Sequence, residues 1–206
     1  DTDCWLAGEM SVFDGVAIRS YLQRVWEGKE DGKYTIWKDV IGTERYVIGV
    51  DVASGIREGD YSVAAVLNVK RNEYVARLRG RIPPDLFAQE LFRLGHKYND
   101  AEIAVERTGH GHLVLRALLD SNYPNIYHHL DYDTMTGQSA DEPGWRTSVK
   151  TKPLMIDTFG AAIRSNDLGS WSRNLMDEAS GVYWEGSKTK KSAGGFDDEL
   201  DAVMIA

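Results

Sequence analysis

A single cysteine, Cys4, leaves no partner for an intrachain disulfide and no set of thiolates for a zinc site. That usage fits a reducing compartment. No apolar run is long enough to cross a bilayer; the longest, such as Tyr46–Val50, have the length of a strand. The opening residues do not read as a secretory signal. No repeat recurs along the chain, and no Gly-x-x-x-x-Gly-Lys-Ser/Thr phosphate loop occurs, so ATP hydrolysis of that type is not expected. Positive charge is also in short supply. With 24 basic against 32 acidic residues, the net charge of -8 has the wrong sign for a protein that coats nucleic acid. It still allows an enzyme that touches DNA through a local basic patch. Acids gathered to hold cations would themselves inflate the negative count.

What is present suits a globular α/β protein. The 206 residues suffice to bury a core, and 42% hydrophobic with 27% charged residues is an ordinary balance for one. Residues 1–41 show no sustained period apart from a helix candidate over Val16–Trp26, with Asp14 placed to cap it. The polar, turn-prone stretch from Glu27 to Lys33 follows, so 1–41 reads as a linker and 42–206 as the compact domain. From there the pattern sharpens. Tyr46–Asp51 is almost continuously apolar and β-branched, as expected of a strand buried on both faces. Tyr61–Val69 and Glu73–Arg81 predict two more strands joined by a turn at Lys70–Asn72. After Pro83-Pro84, Asp85–Tyr98 predicts a helix, Ala101–Glu106 a fourth strand, Gly111–Leu119 a helix and Asn125–His129 a fifth strand. A polar loop is expected over roughly 130–149, then a helix over Thr151–Arg164 with Pro153 in its first turn. A helix beyond Ser172, a hairpin around Gly181–Ser192 and a final helix from Asp197 complete the reading. Three antiparallel strands followed by two parallel, crossover-linked ones make a mixed sheet of five or more strands flanked by helices.

The acids then stand out by position. Asp51 ends the central strand and Glu106 ends the fourth, at the edge where open α/β sheets place their ligands. If those strands are parallel neighbours, the two carboxylates are about 5 Å apart at the backbone. Acids that close repel unless one is protonated or a cation lies between them. Asp197-Asp198 opens the last helix just after Gly194-Gly195-Phe196. A lone Asp at a strand end is ordinarily a turn former, and an acidic pair before a helix ordinarily a cap. Their coincidence predicts instead one all-oxygen site for Mg²⁺ or Mn²⁺.

These residues form an ordered set that resembles a known family. Ile48-Gly-Val-Asp51 with Gly55 and Asp60-Tyr-Ser62, Ile103-Ala-Val-Glu106, Gly144-Trp-Arg-Thr147, Thr151-Lys-Pro153 and Phe196-Asp-Asp-Glu-Leu200 are similar to the nuclease domain of the tailed-bacteriophage terminase large subunit. Ala7–Asp14 resembles the stretch joining that family's ATPase motor to its nuclease. The chain departs from the family in carrying Phe196 where His often precedes the paired acids, and Arg107-Thr108 where Asn often follows the Glu. The resemblance implies a ribonuclease H-like fold and a metal-dependent endonuclease that cuts double-stranded viral DNA concatemers when packaging starts and ends. It further implies two divalent ions bridged by Asp51, with Glu106 and Asp198 completing one shell each, and Asp197 either ligating or orienting Asp198 and capping the helix. An ATPase motor (absent from this chain), a portal and a small terminase subunit would be partners, at the procapsid in the bacterial cytoplasm; the isolated domain is expected to be a monomer.

DNA contact should be to phosphates, from Arg146, Lys150 and Lys152 beside the polar loop and from Lys188, Lys190 and Lys191 near the hairpin. Asp60 reads as a turn carboxylate, and the His110/His112 and His128/His129 spacings do not suit a shared metal. Three rivals remain at this level. Actin-like sugar kinases share the strand order but need two such domains, a junction resolvase or transposase core would use similar acids, and a non-catalytic module could dock DNA or the portal.

Overall fold

The computed structural model describes residues 11–132, 139–186, 188–192 and 195–206. Cys4, Ala7–Met10, Gly194 and part of the expected 130–149 loop lie outside the described residues. Helix α1 spans Gly15–Leu22, and the Asp14 carboxylate accepts from the Val16 and Ala17 N–H groups at 2.7 and 3.1 Å, so the predicted cap is real. Strands β1 (Lys29–Asp31) and β2 (Tyr34–Ile36) follow, then β3 (Tyr46–Asp51), β4 (Ser62–Asn68) and β5 (Glu73–Gly80). Helix α2 (Pro84–Lys97) crosses over to β6 (Glu102–Val105), and α3 (Gly111–Asp120) packs beside α2.

These strands form one sheet in the order β1-β2-β5-β4-β3-β6, in which β6 alone runs parallel to its neighbour, β3. The three-strand meander and the parallel addition are as the sequence predicts. Residues 29–36 differ: β2 pairs with β5, and α1 buries Ile18 and Tyr21 in the core, so much of the expected linker is built into the body. Its polar strand β1 is exposed on all three residues, which is why hydrophobic patterning misses it.

The fifth strand also differs. Residues 125–127 run beside β6 only briefly, with the Ile103 N–H donating to Asn125 at 2.8 Å and the Tyr127 N–H to Ile103 at 2.9 Å. The chain then leaves as a separate hairpin, β7 (His128–Tyr132) with β8 (Ser139–Pro143), in place of the predicted loop. It returns at Trp145, whose N–H donates to Val105 at 2.7 Å. Among the described side chains of this hairpin none is fully buried, and the stretch is polar, so it carries little periodic signal. Helices α4 (Thr151–Ser165) and α5 (Arg173–Ser180), the hairpin β9 (Val182–Glu185) with β10 (Lys188–Lys191), and helix α6 (Asp198–Ile205) complete the described chain.

The sheet divides two cores. Ile48, Val50, Leu78 and Ile103 face α2 and α3 with Phe87, Leu91 and Leu118. Val63, Ala65 and Tyr74 face the other side, with Phe159, Ile163, Leu175, Met176 and Leu200. On that side α6 lies against β3 and β4. It can do so because position 49 is glycine: a Cβ there would stand 2.0 Å from the Ala202 carbonyl oxygen and 2.5 Å from the Ala206 nitrogen. Two acids fix the helix. The Glu178 carboxylate accepts from the Glu199 and Leu200 N–H groups, both at 2.9 Å, capping α6 from outside. Fully buried Glu199 accepts from Arg77 and Asn174, both at 2.7 Å, and from the Ser172 and Tyr74 hydroxyls. Removing one member of such a buried set strands the others.

Gly49→Ala should therefore push α6 off the sheet, lowering stability by about 1–3 kcal/mol, a cost typical of overpacking. Chemical denaturation measures it. Stability equal to that of the parent would mean the helix does not rest on this strand.

Candidate metal centre

Alternation along β3 decides where Asp51 points. Val47 packs in the core on the α6 side and Gly49 touches α6, so Asp51, four and two residues further on, shares their face. The same logic holds on β6, where Ala104 contacts Met155 and Ile205, and Glu106 follows two residues later. Val50 pairs with Val105, and the Glu106 N–H donates to the Val50 carbonyl at 2.9 Å. Asp51 and Glu106 thus end adjacent parallel strands, about 4.8 Å apart at the backbone, on one face.

Helix α6 brings the remaining acids. Asp198 is buried and its Oδ2 accepts from the Tyr61 N–H at 3.1 Å. Asp197 holds the N-cap position, yet its side chain caps nothing; it pairs with Lys191 at 2.8 Å, while Glu178 does the capping. One turn into the helix, Asp201 pairs with Lys152. Sequence reasoning missed Asp201. The signal was present in Asp197-Asp198-x-x-Asp201, because residues three and four apart share a helix face.

The electrostatics bind these residues into one group. Burial, then the facing charges of Asp201, Glu106, Asp198 and Asp197, pushes the Asp51 carboxyl up to about 8. Burial raises Asp198 to about 6, with the Tyr61 N–H opposing and Asp60 and Asp197 adding. Burial also raises Asp201 against the pull of Lys152. Exposed Asp60 therefore faces the cluster too. Among the described residues no three of His, Cys, Asp or Glu form a ready ligand cage. The reason is visible in the contacts: Lys152 and Lys191 hold Asp201 and Asp197, and the backbone at Tyr61 holds Asp198. The donor set is nonetheless all oxygen and surplus in negative charge, which fits a hard divalent cation. A cleft of about 50 Å³ opens among Lys152, Lys190, Lys191, Asp197 and Asp201.

The expected phosphate ligands fall into two sets. Lys152 and Lys191 begin from ion pairs with cluster acids, and Lys190 lies 3.9 Å from Glu185. Arg146 follows Trp145, which bridges to Glu106, and Lys150 directly precedes α4; both are exposed, as is Lys188 on β10. Of the histidines, His96 and His128 pair with Asp100 and Asp141, away from the acids.

No protein-family model and no curated protein matches the chain. Solved structures do. The large terminase nuclease from thermophilic phage G20c with bound magnesium superposes with a TM-score of 0.74 at 16% identity, covering 96% of each chain. The same nuclease with bound cobalt gives 0.73 at 16%, again over 96% of each chain. The Thermus phage P74-26 large terminase nuclease domain gives 0.69 at 16%, over 92% of this chain and 93% of that one. The chain has the fold of these nuclease domains.

The raised carboxyls set a pH dependence. Asp51 titrates near 3.8 when unfolded and at about 8 when folded, so the folded state binds the extra proton between these values. Without metal, stability should fall as pH rises from about 4 to about 8, by a few kcal/mol in order of magnitude. Asp198 adds to the fall up to about 6. Saturating Mg²⁺ or Mn²⁺ should flatten the profile. Thermal melts across this window read the effect, and a flat metal-free profile would mean the acids do not oppose one another.

Proposed function

We propose that the chain is a metal-dependent endonuclease that cuts double-stranded viral DNA at the initiation and termination of genome packaging. One observation carries the reading. Asp51, at the carboxyl end of β3, is raised to about 8 by burial and four surrounding carboxylates, and its own carboxylate accepts no hydrogen bond among the described residues. A buried acid surrounded by acids is costly unless a cation joins them. The likeness to nuclease structures that contain magnesium and cobalt supports the same reading.

Asp51 would be shared by two cations, Mg²⁺ or Mn²⁺, with Glu106 and Asp198 completing one shell each and Asp197 and Asp201 adding oxygens. When bound, the ions supply the charge that activates a water and neutralises the departing oxygen. The Tyr61 N–H keeps Asp198 aimed, and Glu178 and Glu199 keep α6 at its working height. Were Asp197 and Asp201 to serve as ligands, Lys191 and Lys152 would be released from their ion pairs and could meet phosphate oxygens. With Arg146, Lys150, Lys188 and Lys190 they would grip the backbone without reading bases, which suits cutting with little sequence preference. ATP turnover is not assigned to these residues. The ATPase motor, portal and small subunit would be its partners, at the procapsid in the host cytoplasm.

Asp51→Asn tests the assignment. Metal-dependent nicking of a supercoiled plasmid should fall by about 100-fold or more, beyond what removing a residue that merely orients a ligand costs. Metal-free thermal stability above pH 8 should rise, since the variant removes an opposed charge. Undiminished nicking, with EDTA abolishing the activity of both proteins, would overturn Asp51 as a ligand.

A further inference from the structure

Beside the acid cluster lies an assembly of two arginines and two aromatic rings. In the sheet, Asp51 pairs with Val63 and Val63 with Arg79, so Asp51, Val63 and Arg79 form one row. Cross-strand partners share a face, which places Arg79 on the α6 side, two strand spacings (about 10 Å) from Asp51. Arg81 continues the same face of the chain at the same end of the sheet.

Both guanidinium groups lie over Tyr61, at 3.5 Å for Arg79 and 4.1 Å for Arg81. The Phe196 ring meets Tyr61 edge-on at 5.3 Å and also lies beneath Arg79. This platform is continuous with the acids: Tyr61 donates its N–H to Asp198, and Phe196 directly precedes Asp197. Among the described residues neither arginine meets a carboxylate, whereas Arg71 and Arg77 do. Arg81 spends its Nε on the Gly59 carbonyl, and the buried Nε of Arg79 has no acceptor among the described residues. Stacking on a ring fixes the plane of a guanidinium and leaves its edge donors outward, the geometry that grips a phosphate with two parallel bonds.

We infer that Arg79 and Arg81, laid on the Tyr61–Phe196 pair, form a phosphate-binding ledge that seats the DNA backbone against the acid cluster. The inference rests on the nuclease reading. It also gives Phe196, where the resembled family often has His, a role as ring support.

Binding of a short fluorescent DNA duplex, followed by anisotropy in Ca²⁺ across a salt series, tests it. Arg79→Gln with Arg81→Gln should weaken binding and make the salt dependence shallower by about two, at roughly 0.9 for each phosphate left without its cation. The paired Lys substitutions should retain most of the slope while losing affinity, since charge persists without the stacked fork. Phe196→Leu should lower affinity at unchanged slope. Should the double Gln variant fail to melt cooperatively, Arg81→Gln alone carries the test, with a change of about one. Parent-like affinity and slope in a folded Gln variant overturn the ledge. A parent protein that neither binds duplex nor nicks plasmid overturns the nuclease reading instead.

Discussion

Helix α6 rests directly on β3 because Gly49 has no side chain, and the acid cluster exists only at that separation. Asp51 and Glu106 are fixed by the sheet, one strand spacing apart. Asp197, Asp198 and Asp201 ride on the helix, so a displaced α6 would take three of the five carboxylates with it. The fold guards this placement twice. Glu178 caps the helix with two hydrogen bonds, and Glu199 locks its first turn to Arg77, Tyr74, Ser172 and Asn174.

Two kinds of buried acid therefore meet around one helix, and their surroundings separate their roles. Glu199 is fully buried yet receives four donors, one of them a guanidinium, so its oxygens are satisfied by the structure around it. Asp51 is less deeply buried but faces other carboxylates, and its charge works against the fold. Burial and facing charges act together against Asp51, whereas donors surround Glu199. Lys152 and Lys191 relieve part of the repulsion by holding Asp201 and Asp197, which places two cationic side chains against the acids. The surface beyond them continues the theme, with arginines stacked on Tyr61 and Phe196 at the same end of the sheet.

Regular patterns carried the elements with a buried face. The run Tyr46–Asp51 could only be an interior strand, and the 3.6-residue spacing of Phe87, Leu91 and Leu94 required a helix. Elements without such a pattern escaped: exposed β1, and the polar hairpin of β7 and β8, inserted where chain beside β6 is interrupted. Each pairs locally, β1 with β2 and β7 with β8, but what holds them to the body is distant in sequence: Arg77 and Leu78 for β2, and Val105 and Glu106 for the returning Trp145. No local window contains those partners.

The sequence alone determined the class of fold, the buried strand that ends at Asp51, and the candidacy of Asp51, Glu106, Asp197 and Asp198, because alternation and strand-end position are local properties; that this strand lies one place from the sheet edge and not at its centre was decided by the topology. Tertiary structure alone decided that Asp201 joins them, that Glu178 rather than Asp197 caps α6, and that Lys152 and Lys191 start from ion pairs. Charge, burial and hydrogen bonding depend on which surfaces meet across the sheet, and those meetings are set by packing over distances that no sequence spacing encodes.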